Sequence, residues 1–258
     1  MPNPSCPFSR TKDASALSAK PVARLEPHPG HGALTYGLMN LTHLEGHETP
    51  KPLVPGQTYE AKVTLNDIAH RFAAGNRIRV ALSTAYWPII WPSPEVTRLT
   101  IAAGRGKLIL PVRPLLASDA DLPELPPAES AALAPRTELR KADPLSLQIE
   151  RDFITGLVRI TKVMDHGHIQ NDDTGWRTDT TTTREFEITD LDPISARFTS
   201  TSEVAFGRDG MPAVTISVDH ELTASRKEFH VTASMIARED GEEVFNRKWK
   251  EAVPRNGV

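Results

Sequence analysis

The sequence predicts an all-β fold of two β domains, and three observations carry that prediction. Apolar and polar residues alternate with a period of two in both halves of the chain. β-branched residues concentrate in the second half, and Asp-Gly turns fall between its alternating runs. A Pro/Ala-rich stretch divides the halves, and the charge changes sign near it. Residues 1–117 hold 13 Lys/Arg against 7 Asp/Glu, residues 118–145 hold 3 against 6, and residues 146–258 hold 14 against 20. The resulting map is a disordered terminus over 1–20, a first β domain over 21–117, a linker over 118–145 and an antiparallel meander over 146–258.

Taken in order, Met1 to Lys20 carries Pro2, Pro4 and Pro7 and no apolar run, so it is no secretory leader and a cytoplasmic location is expected. Tyr59, Ala61, Val63 and Leu65 alternate with Glu60, Lys62 and Thr64, as on a half-buried strand. Asn66 to Phe72, closed by Ala74-Gly75, suits one helical turn. Ile78, Val80 and Leu82 form a second strand, and Leu108, Leu110 and Val112 a third. The linker stretch ASDADLPELPPAESAALAP cannot sustain a strand. Beyond it, Thr178 to Ile188 is Thr-rich and β-branched. Ala196, Phe198, Val204 and Phe206 keep one parity, and so do Val214, Ile216 and Val218, then Phe229, Val231, Ala233 and Met235. Breaks at Arg208-Asp209-Gly210, Ala224-Ser225-Arg226 and Glu239-Asp240-Gly241 make this an antiparallel meander.

Composition narrows the function. A net charge of −3 gives no electrostatic reason to expect nucleic acid or a membrane surface as partner. Cys6 is the only cysteine, so no intrachain disulfide can form, and its Pro-rich surroundings argue against a nucleophile. Hydrolases of the α/β class need Gly-x-Ser-x-Gly at a strained strand-to-helix turn, and no two glycines here are four positions apart. Gly104-Arg105-Gly106 is too short to cradle a phosphate and reads as a turn. His43 and His47, with Glu45 and Glu48, have zinc-like spacing, but Gly46 and Pro50 oppose a helix and no third ligand is evident. A structural or surface role is expected there, and a polar loop at His166-Gly167-His168 with Asp172 and Asp173. No metal and no cofactor are expected. Ser83, His70 and Asp67 could meet between strands, yet no oxyanion-hole motif accompanies them. No catalytic residue is assigned.

The most unusual segment is Tyr86-Trp87-Pro88-Ile89-Ile90-Trp91-Pro92, two tryptophans on a Pro-stiffened loop after a strand. Tyr86, Trp87 and Trp91 are the pocket or interface candidates, since such rings bury much area at small entropic cost. The same loop could serve as a core corner, as inter-domain packing, or as a carbohydrate-binding platform.

The stretch from Thr35 to Ile101 resembles the C-terminal domain of the cocaine esterase/NonD hydrolases and X-Pro dipeptidyl-peptidases. Gly37-Leu38-Met39-Asn40-Leu41-Thr42-His43, Pro55-Gly56, Ala69-His70-Arg71-Phe72, Ala74-Gly75 and Arg77-Ile78-Arg79 follow the family's order. Asn76 stands where many members have His, and the tail from Leu147 to Pro254 resembles an extension of one branch. The resemblance implies a jelly-roll-like β-sandwich followed by a second β region, without the α/β-hydrolase domain that carries the Ser, His and Asp of such esterases and dipeptidyl-peptidases. Only Pro21 to Leu25 offers a strand before Thr35, so an incomplete sandwich with an exposed edge open to self-association is implied. The partner implied is an α/β-hydrolase domain in the same or a neighbouring reading frame, over which this chain packs. The contrasting reading is a free-standing sandwich that binds carbohydrate or protein.

Overall fold

The computed structural model describes residues 5–10, 22–26, 34–121, 123–124 and 126–256. The fold is all-β and antiparallel throughout, with three short 3-10 turns as the only helical elements among the described residues. Six strands form the first region: β1 (Ser5–Arg10), β2 (Val22–Glu26), β3 (Thr35–Leu38), β4 (Thr58–Lys62), β5 (Arg79–Ser83) and β6 (Leu99–Ile101). They make two three-stranded sheets, ordered β4-β1-β6 and β3-β2-β5. A small core of Leu41, Leu53 and Ala61, flanked by Met39, Leu44, Tyr59 and Leu99, sits in this region. The chain leaving β4 runs beside β3, where the Asn66 N–H donates to the Tyr36 carbonyl at 3.0 Å and the Thr35 hydroxyl to the Asn66 carbonyl at 2.7 Å.

Several expectations change here. β1 lies inside the terminus expected to be disordered, so Pro21–Leu25 is not the only strand upstream of Thr35; residues 11–20 lie outside the described ones. Pro7 is tolerated because β6 pairs only with Phe8–Arg10, leaving Pro7 paired on one side alone. No helical turn forms over 66–72, since both polar backbone groups of Asn66 are already committed to β3 in an extended segment. Leu108 to Val112 alternates as expected but finds no ladder partner among the described residues.

The second region is one eight-stranded sheet. β9 (Leu157–Asn171), β10 (Trp176–Thr189), β11 (Asp192–Gly207), β12 (Val214–Ala224), β13 (Glu228–Glu239) and β14 (Glu242–Pro254) follow one another as a meander. β7 (Arg136–Arg140) and β8 (Ser146–Arg151) both pair with β9 at its far side. At Asp240-Gly241 both residues have positive φ, 47° and 86°, as a two-residue hairpin turn requires. The pairing register places Ile160, Phe186, Phe198, Leu222 and Val231 in one row across five strands, on an apolar face. The opposite face is charged. Arg159 donates to Glu187 at 2.7 Å, and Arg197 bridges Glu187 at 3.3 Å and Glu221 at 2.6 Å. Burial works to raise the Glu187 carboxyl, but the bonds from Arg159 and Arg197 outweigh it and hold it below the usual carboxylate range.

β7 falls inside the stretch expected to be linker, and His166-Gly167-His168 lies within β9 and not in a loop. One carboxylate accounts for both. Asp165 takes bonds from Arg140 at 2.6 and 2.9 Å, from the Asp143 N–H at 2.7 Å and from the Gly167 N–H at 3.0 Å. Arg140 also holds Asp179 at 2.7 Å, so the β7–β8 corner is clamped onto β9 and β10. Gly167, at φ 72°, lets the strand kink beneath that corner; a Cβ there would lie 2.8 Å from the Arg140 carbonyl.

The Arg140 guanidinium and the two backbone N–H groups hold the Asp165 carboxyl far below the usual range. Its contribution to stability is therefore complete above its unfolded-state value and is lost as pH falls through the acid range towards its folded-state value. We expect Asp165→Asn to lower the melting temperature at neutral pH, with the gap to wild type closing below about pH 4. A gap that stays constant between pH 7 and 3 would contradict this assignment.

Candidate functional site

The loop after β5 is shaped by its own polar groups. The Ser83 hydroxyl donates to the Ala85 carbonyl at 2.8 Å and accepts from the Ala85 N–H at 3.2 Å, turning the chain out of the strand. The Ile90 N–H then closes back onto the Tyr86 carbonyl at 2.9 Å, and the Trp87–Pro88 bond is cis. This folding sets the two indoles edge to face, with centroids 5.3 Å apart.

Both indoles meet the apolar face of the second sheet. Trp87 lies 6.1 Å from Phe186, which packs on Phe198 at 4.9 Å, and Trp91 lies 5.9 Å from Phe229. Tyr86 turns the other way and meets Tyr36 of β3 at 5.7 Å. Ile89, at the tip, remains 64% exposed. Arg255 locks the junction from the C-terminal side. Its guanidinium lies 4.8 Å over the Phe229 ring and donates to the Pro92 carbonyl at 2.6 Å and the Ser225 carbonyl at 3.1 Å. Burial pushes this guanidinium down to about 10, so it stays charged at neutral pH. The three candidates from the sequence therefore sit on one loop, with Trp87 and Trp91 against the meander and Tyr86 against the first region.

Arg255, Phe186 and Phe229 were not singled out from sequence. The parity of Phe229 was legible, but nothing in a lone Arg after Pro254 signals a partner 163 residues away. The other candidates do not assemble. His43 and His47 bring their Nδ1 atoms within 2.8 Å, yet no group of three or more His, Cys, Asp or Glu among the described residues could hold a metal ion. The Ser83 hydroxyl is engaged by Ala85, and the His70 ring lies against Phe72 at 4.9 Å. No described helix is long and apolar enough to cross a membrane. On the charged face a groove of about 700 Å³ runs between Arg197, Asp219, Glu221, Lys248 and Lys250.

Residues 11–110 match the family model of the X-Pro dipeptidyl-peptidase C-terminal non-catalytic domain. Over those residues the chain is similar to this domain. The match contains the whole of the aromatic loop and the Gly37 and Gly75 segments that carried the resemblance, and it starts ten residues before the expected boundary at 21. No curated protein and no solved structure matches the chain. The matched residues are followed here by an eight-stranded sheet, to which their aromatic loop is fixed.

Proposed function

We propose that this chain is the non-catalytic C-terminal portion of a cocaine esterase/NonD-type, X-Pro dipeptidyl-peptidase-like serine hydrolase. It packs on an α/β-hydrolase domain, encoded in the same or a neighbouring reading frame, and shapes the mouth of its pocket. The observation that carries the reading is an uncovered apolar row on β5, within the family match. Val80 and Leu82 of β5, with Ile78 immediately before it, share one parity and are 46%, 40% and 45% exposed, and among the described residues β5 stands at the edge of its sheet. A row of this kind marks a surface built to be covered. The loop from Tyr86 to Trp91 continues directly from that strand, so a partner seated on β5 meets Tyr86 and Ile89 next. Trp87 and Trp91 hold the loop from behind.

The contrasting reading, a carbohydrate platform on Trp87 and Trp91, is disfavoured because both rings are engaged by Phe186 and Phe229. The two β units and the intervening Pro/Ala-rich stretch form, on this reading, one covering module.

Co-purification with that α/β-hydrolase domain tests the proposal. The expected result is a stable complex that Val80→Lys abolishes while the strand signal in circular dichroism stays unchanged. Failure of the two to associate at tens of micromolar, or a complex indifferent to Val80→Lys, would overturn it.

A further inference from the structure

We propose that the chain forms a two-fold dimer by antiparallel pairing of β14 with β14 of a second copy, centred on Trp249. Among the described residues β14 ends the sheet, pairing only with β13, and every residue along it except Trp249 is exposed. Its ladder to β13 is interrupted once, between Ala237 and Arg238, and is regular from Phe245 to Pro254. A long regular edge is a template for another strand unless its sequence forbids the pairing.

The sequence of β14 complements itself. Phe245, Arg247, Trp249, Glu251 and Val253 alternate on one face, opposite Ala237, Met235, Ala233, Val231 and Phe229 of β13. Two copies paired antiparallel about Trp249 set Trp249 against Trp249 and Phe245 against Val253. The same register sets Arg247 of each copy against Glu251 of the other, giving two opposite-charge pairs related by the dyad, as an isologous contact demands. Arg247 already lies 5.1 Å from the Trp249 ring, so the cation and the central aromatic are neighbours before any partner arrives. On the other face Lys248 meets Lys250, a like-charge pairing. Asp219 and Glu221 line the same groove as these lysines, with Glu221 already paired to Arg197.

This contact lies at the edge remote from β7 and β8 and does not depend on the hydrolase reading. Sedimentation equilibrium of the purified full chain tests it through the charge pairs. Wild type is expected to associate to a dimer at tens of micromolar. Arg247→Glu and Glu251→Arg alone each place like charges opposite one another and should weaken the dimer at least tenfold. Mixing the two variants in equal amounts, or combining both changes in one chain, restores opposite charges and should restore association. A monomer throughout the concentration range overturns the proposal, and so does a dimer that ignores both reversals.

Discussion

Gly37→Ala is expected to lower the midpoint of thermal unfolding by roughly 6–12 °C, the equivalent of about 3 kcal/mol in a chain of this size. Gly37 is buried in β3, and a Cβ built there would lie 2.0 Å from the Thr64 carbonyl oxygen and 3.0 Å from Val63 Cγ1. The obstacle is backbone, so a rotamer change cannot relieve it. To make room, β3 or the segment leaving β4 must move, which breaks the Tyr36–Asn66 and Thr35–Asn66 bonds. The nearby core is small, with Leu41, Leu53 and Ala61 its buried apolar members among the described residues, and can absorb little displacement. Circular dichroism melts of the two proteins check the prediction. A shift under about 2 °C would mean that β3 and residues 63–66 are not in close contact.

The second large effect belongs to the junction between the two regions. Trp87→Ala should cost about 3 kcal/mol, because the indole touches both Trp91 and Phe186 and its loss leaves a cavity between the loop and the meander. Trp87→Phe should be close to neutral. The Trp87 indole N–H is buried and has no hydrogen-bond partner among the described residues, so removing it also removes an unsatisfied donor. Urea titration separates the two variants. If Trp87→Phe is as damaging as Trp87→Ala, the N–H has a role that this packing does not provide.

The meander was legible because its signals are local. Parity alone put Phe198 and Phe206 on one face, β-branched residues marked β10, and Asp240-Gly241 named its own turn. What escaped the sequence depends on distant partners. β1 was masked by Pro7, which the strand tolerates because β6 pairs only with Phe8–Arg10 and leaves Pro7 paired on one side alone. The strand at Arg136–Arg140 and the kink through His166-Gly167-His168 exist because Asp165 recruits Arg140 and the Asp143 N–H across more than twenty residues. Conversely, Asn66 has the chemistry of a helix cap, but β3 claims its backbone first. The aromatic loop stood out by composition, whereas its neighbours Phe186, Phe229 and Arg255 come from a region that periodicity treats separately.

Labelling of the purified chain with a fluorophosphonate, alongside turnover of a nitrophenyl ester and an X-Pro anilide, tests the central claim most directly. A chain that matches the X-Pro dipeptidyl-peptidase C-terminal non-catalytic domain over residues 11–110 and continues into an eight-stranded sheet should take up no label and turn over neither substrate. Stoichiometric labelling of a serine, with turnover abolished by the same reagent, would contradict the account and place a nucleophile within these strands.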